Sequence, residues 1–150
     1  LQDALRRQIH ERAIPAGGWV LGFGYDDSLL AEKRHPNRDD LDAVSTTHRI
    51  YVTHVSGHLG AANSSVLALA GLDASSGDPP GGLIRRRAGS REPDGVLEEL
   101  AQYPVRALFP QPDRERSLAL LGEAQQLYAS MGLTTVQDGG LAPDGVALLE

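Results

Sequence analysis

Leu1, Leu5 and Ile9 recur every four residues, with Arg6, Arg7, Glu11 and Arg12 among them. That period puts the apolar side chains on one face and predicts an amphipathic helix, stopped near Pro15. Gly17 and Gly18 turn the chain into Trp19–Tyr25, a short apolar and aromatic run that predicts a strand. Gly22 and Gly24 inside it point to a bulge or a close backbone approach. A second strand is predicted over Ile50–Val55. It leads through a Gly57-His58 turn into a small-residue helix, where Val66, Leu67, Leu69 and Ala70 pack and Gly71 supplies the left-handed end. Residues 73–82 form a loop by composition. Leu83–Arg87 predicts a strand that returns through residues 91–95 into 96–100, with Glu98 and Glu99 opening a helix. After Pro104, Pro110 and Pro112, Asp113 caps a helix in which Leu118, Leu121, Ala124, Tyr128 and Met131 fall at spacings of three and four. Gly132 ends it, Leu133–Val136 predicts a strand, and Asp138 closes that strand. A helix, a glycine, a short buried strand and an acid form the αβ unit of a parallel sheet or barrel. The fold class is therefore α/β, in a mixed α+β arrangement.

Composition narrows the function classes. A chain of 150 residues is one compact domain by default and can bury a sizeable core. A net charge of −6 argues against nucleic acid or an anionic membrane as the main partner. The absence of cysteine removes disulfides, thiolate metal sites and thiol catalysis. No apolar run reaches the roughly 18 residues of a membrane span, so a soluble cytoplasmic protein is expected. The chain opens on Leu1 inside a helical pattern, and its one methionine is Met131. We therefore expect it to be a piece of a longer protein.

Candidate chemistry gathers in a few places. Asp26 and Asp27 suit a cation or a substrate amine; alternatively, Asp27 or Ser28 caps a helix. Acids in His35–Asp42 suit a helix start, where the dipole favours them. His54 and His58 are four apart, the spacing that serves zinc on one helical face. Here one lies in a strand and the other in a turn, with no obvious third ligand. His58 can hydrogen-bond a polarised substrate oxygen or shuttle a proton, or it can cap the following helix. Asn63 either caps that helix or binds a substrate amide. Arg85, Arg86 and Arg87 either hold an anion or face solvent. Asp138 either sits at an active strand end or makes a turn before two glycines. No nucleophile elbow, phosphate loop or full dinucleotide fingerprint is present.

Taken in order, several segments resemble amidohydrolase family 3, the YtcJ-like branch of the metal-dependent amidohydrolases. They are Trp19-Val-Leu-Gly-Phe-Gly-Tyr-Asp26, Pro36-Asn-Arg-Asp-Asp-Leu-Asp42, Ser56-Gly-His58 with Asn63-Ser-Ser-Val-Leu67, Pro80-Gly-Gly-Leu-Ile-Arg85, Gly95-Val-Leu-Glu-Glu99, and Met131-Gly-Leu-Thr-Thr-Val-Gln-Asp138. The resemblance implies a parent enzyme with a (β/α)8 TIM barrel that hydrolyses non-peptide C–N bonds of small amides or cyclic amides. Residues 1–105 would be an inserted small domain, and residues 106–150 a helix–strand unit of the barrel. A divalent metal, zinc by expectation, would be held by residues upstream of Leu1 and beyond Glu150, with no metal ligand in this chain. Tyr25, Asp26, His58, Asn63, Glu99 and Asp138 become candidates for the substrate pocket or its lid, and no residue is assigned a catalytic role. The expected partner is a small amide-type substrate, and a second copy of the chain stays open as another. Two departures stand out: Ser56 replaces the aspartate before Gly-His, and Arg87 replaces an acid. The alternative function is a non-catalytic interaction or regulatory module.

Overall fold

The computed structural model describes residues 1–137 and Gly145. The chain forms two compact units, Leu1–Phe109 and Pro110–Glu150. The first contains α1 (Gln2–Glu11), β1 (Trp19–Tyr25), α2 (Arg38–Asp42), β2 (Arg49–His54), β3 (Leu59–Ala62), α3 (Ser64–Leu69), β4 (Gly82–Arg86) and β5 (Pro93–Glu99), then a 3-10 turn (Leu100–Gln102) and α4 (Tyr103–Arg106). Its sheet runs β1-β2-β3-β5-β4. Strands β1 and β2 are parallel and every other pairing is antiparallel. Mixed α/β character is thus observed, as the sequence pattern predicts.

Alternation along the strands builds two cores, because successive side chains point to opposite faces. Ile50 and Val52 join Leu5, Val20, Leu41, Ala61 and Val96 on one face, covered by α1 and α2. Tyr51 joins Ala62, Val66, Leu67, Ile84, Leu97 and Val105 on the other. Local capping fixes the short helices. Asn37 and Asp40 form a reciprocal capping box on α2. Asn63 accepts from Val66 N–H at the start of α3.

Strand β3 is a correction to the sequence reading, which ran from the Gly57-His58 turn directly into a helix. Leu59–Ala62 carries no β-branched residue, yet it is the central strand between β2 and β5. Small side chains are needed there: a Cβ built on Gly60 would fall 1.9 Å from the Tyr51 hydroxyl. The helix predicted to open at Glu98 and Glu99 is also corrected. Both residues end β5, paired with β4, and helical turns begin at Leu100. Strand pairing across the hairpin outweighs the helix-forming tendency of glutamate. Neither Asp27 nor Ser28 caps a helix, because the segment after β1 is a series of turns. The three arginines are tied down. Arg85 pairs with Glu98, Arg86 donates to the Ser76 carbonyl at 2.7 Å, and Arg87 forms a two-pronged pair with Asp39 at 2.8 and 2.5 Å.

The second unit contains α5 (Arg114–Ser130), capped by Asp113, whose carboxylate accepts from Arg116 N–H at 2.8 Å. No residue of α5 is buried. Leu133–Val136 does not form the predicted strand. A parallel strand exists only through hydrogen bonds to neighbours, and none pairs with this segment among the described residues. Among the described residues, no helix is long and apolar enough to cross a membrane.

Candidate functional site

Strand directions place the C-terminal ends of β1, β2 and β5 and the N-terminal start of β3 along one edge of the sheet. Tyr25, Asp26, His58 and Glu99 all lie along this edge. Asn63 follows the far end of β3 and is fully buried. Asp138 lies outside the described residues.

The register pairs Tyr25 with His54 across a bulge in β1 that follows Phe23. The Tyr25, His35 and His54 rings meet edge-to-face, with centroids 5.1–5.9 Å apart. Burial pushes the Tyr25 hydroxyl up to about 12, with the Asp27 carboxylate adding to it. It therefore stays protonated and donates to His35 Nδ1 at 3.2 Å. His35 is held below the usual histidine value, mainly by burial, with Arg85 and His54 adding and Asp27 opposing. A neutral His35 keeps the Nδ1 lone pair that Tyr25 uses.

Asp27 Oδ1 lies 3.2 Å from His54 Nε2 and 3.8 Å from His35 Nδ1. The backbone N–H of Ser56 donates to His54 Nδ1 at 3.1 Å, so the neutral ring carries its proton on Nε2, toward Asp27. Ser56 Oγ lies 2.8 Å from the same Nδ1 and accepts from His58 N–H at 3.2 Å. Asp27, His35 and His54 each offer a ligand atom, and these atoms lie within 4.8 Å of one another. The set is two imidazoles and one carboxylate, a donor chemistry that suits a divalent cation. The four-residue spacing of His54 and His58 does not bring these two together: the neighbours of His54 are Asp27 and His35, 27 and 19 residues earlier in the chain. Asp26 makes a local turn instead, accepting from the N–H and hydroxyl of Ser28 at 2.9 and 2.6 Å. Those bonds hold its carboxyl below the usual carboxylate value.

The second constellation is His58 with Glu99. His58 Nδ1 lies 3.0 Å from the Glu99 carboxylate, and both side chains are more than half exposed. Glu99 adopts φ 49°, ψ −123°, a backbone conformation that ordinarily belongs to glycine. Its N–H is fixed by the His58 carbonyl at 2.8 Å. The turn beneath is anchored from inside: Tyr51 OH donates to Gln102 Oε1 at 2.9 Å, and Gln102 Nε2 donates to the Gly57 carbonyl at 3.2 Å. Gln102 was not singled out by sequence; a lone glutamine carries no local signal. His58 caps no helix, because β3 intervenes. Asn63 makes four bonds, accepting from Ile50 and Val66 N–H and donating to the Ser45 and His48 carbonyls. With both amide ends used, it has no group left for a substrate.

The amidohydrolase family profile matches residues 1–149. The chain belongs to the amidohydrolase family. The N-substituted formamide deformylase of Arthrobacter pascens is 35% identical over 133 residues, which is 86% of this chain and 24% of that protein. The YtcJ protein of Bacillus subtilis is 30% identical over 110 residues, 73% of this chain and 20% of its own length. The chain thus spans about a quarter of the length of these relatives. A crystal structure of a metal-dependent hydrolase from Pyrococcus horikoshii OT3 superposes with a TM-score of 0.57 at 19% identity, covering 98% of this chain and 26% of that one. At that identity the likeness shows the fold.

Proposed function

We propose that this chain forms a pocket wall or lid in a metal-dependent hydrolase of non-peptide C–N bonds, with small amides as substrates. Residues 1–105 are read as a small inserted domain and residues 106–150 as part of a (β/α)8 barrel, of which the helix α5 is formed and the strand at Leu133–Val136 is not; the division at Phe109 and Pro110 lies near that boundary. The deformylase relative makes N-substituted formamides the first substrates to test. A divalent cation, when bound, would polarise the amide carbonyl and activate water.

The observation that carries the proposal is the exposed His58–Glu99 pair on a backbone-strained turn. The carboxylate orients the imidazole through Nδ1, leaving Nε2 to exchange a proton with substrate. Amide cleavage needs such a proton at the departing nitrogen. Non-glycine residues in such conformations cost about 1–3 kcal/mol and persist where the surroundings hold them, commonly at functional sites. Tyr25 and the loop bearing Asp26 are read as the adjoining wall.

The test uses the full-length enzyme and an N-substituted formamide. His58→Ala and Glu99→Gln are expected to lower kcat by about 10²–10⁴ for His58 and less for Glu99. Metal content and melting temperature should be unchanged. Unaltered turnover in His58→Ala would overturn the proposal.

A further inference from the structure

The Asp27, His35 and His54 cluster is used by none of the chemistry assigned to His58 and Glu99. We propose that these three side chains form a binding site for one first-row divalent cation of the zinc class.

Several observations carry it. The donor set is right: two imidazole nitrogens and a carboxylate oxygen bind zinc at about 2.0–2.2 Å, so neighbouring ligand atoms on a tetrahedral ion stand about 3.3 Å apart. Asp27 Oδ1 lies 3.2 Å from His54 Nε2 and 3.8 Å from His35 Nδ1, and all three ligand atoms lie within 4.8 Å. Small rotations of partly exposed side chains close the remaining gaps. The three residues also come from three segments locked by tertiary structure: the end of β2, the loop after β1, and the residue before Pro36.

Loading the site exchanges hydrogen bonds around it. In the empty site His54 Nε2–H donates to Asp27. When a cation takes Nε2, that proton leaves and the neutral ring holds its proton on Nδ1. Ser56 Oγ stands 2.8 Å from Nδ1 and would accept it, the outer bond that metal-ligating histidines ordinarily make, in exchange for the bond Nδ1 now accepts from Ser56 N–H at 3.1 Å. His35 Nδ1 lies 3.2 Å from Tyr25 OH, and with that hydroxyl donating, the nitrogen carries the lone pair that a cation would take in its place. Access is adequate too. The Asp27 side chain is 35% exposed, against 15% and 13% for His35 and His54, so the fourth position opens to solvent on the carboxylate side.

The experiment measures bound metal, so its outcome is independent of turnover. Purified chain is stripped with a chelator, reloaded with zinc, dialysed and assayed by elemental analysis, with cobalt(II) absorption as a second probe of histidine coordination. We expect the wild-type chain to retain one equivalent more zinc than Asp27→Asn or His54→Ala. Ser56→Ala should weaken affinity by about 10–100-fold. Asp27→Asn keeps an acceptor for His54, so its fold is preserved, and circular dichroism checks this. His58→Ala should retain the full equivalent. Equal zinc retention by wild type and Asp27→Asn overturns the site, as does loss of the equivalent in His58→Ala alone.

Discussion

Replacing Asn63 by alanine removes one side chain and four hydrogen bonds. Its oxygen accepts from Ile50 N–H at 3.2 Å and Val66 N–H at 3.1 Å; its nitrogen donates to the carbonyls of Ser45 at 3.0 Å and His48 at 2.9 Å. The residue is fully buried, so water reaches these groups only by entering the vacated space. Loss of an N-cap alone costs about 0.5–2 kcal/mol. Stranding the Ile50 donor and two carbonyls adds about 1–3 kcal/mol for each group left unsatisfied. Val66 N–H retains the Asn63 backbone carbonyl at 3.1 Å, which limits the cap term. We therefore expect a loss of at least about 3 kcal/mol, a fifth or more of the roughly 5–15 kcal/mol that holds a domain folded. Urea unfolding followed by circular dichroism should show a midpoint lower by at least about 1 M, with an unchanged slope. Asn63→Asp should be at least as damaging, since it sets a charged oxygen against two carbonyls. A loss below about 0.5 kcal/mol, the range of surface substitutions, would refute the assignment of Asn63 as a structural fastener.

Three other tests address separate parts of the fold. Gly60→Ala should destabilise by about 1–3 kcal/mol or more, as overpacking does, because its Cβ meets a Tyr51 hydroxyl that is buried and bonded to Gln102; a neutral result in thermal melts would sink this account of β3. His35 sits below its unfolded value of 6.5, so the unfolded chain takes the proton first. Its contribution is fully present above pH 6.5 and is lost as pH falls through the lowered folded value. Urea midpoints across this window should fall less steeply in His35→Gln than in wild type, and equal slopes would contradict the sign. Glu99→Gly releases a φ of 49° and removes an exposed ion pair worth about 0–1 kcal/mol. Its stability should stay within about 1 kcal/mol of wild type or rise, while formamide turnover in the full-length enzyme falls. A large destabilisation would show that the turn does not store strain.

What could be read from the sequence was whatever a few adjacent residues determine. Asn63 and Asp113 announce helix starts because a cap is completed within three residues of itself. Trp19–Tyr25 and Ile50–Val55 declare strands through their apolar, branched and aromatic composition. The acids of residues 39–42 fell to structure for the same local reason. The family resemblance rested on order and spacing along the chain, which sequence also contains. Tertiary structure decided the rest. Leu59–Ala62 is a strand because β2 and β5 flank it and the Tyr51 hydroxyl fills the space a side chain at Gly60 would need, neither of which its own composition records. Leu133–Val136 has strand composition, yet a parallel strand needs partners that local sequence cannot supply. Asp27, His35 and His54 converge only because β1 and β2 pair in parallel with Tyr25 beside His54 and the loop after β1 folds back over that edge. Capping chemistry acts over a few bonds of backbone, whereas a donor set drawn from three segments exists only once the sheet has chosen its neighbours.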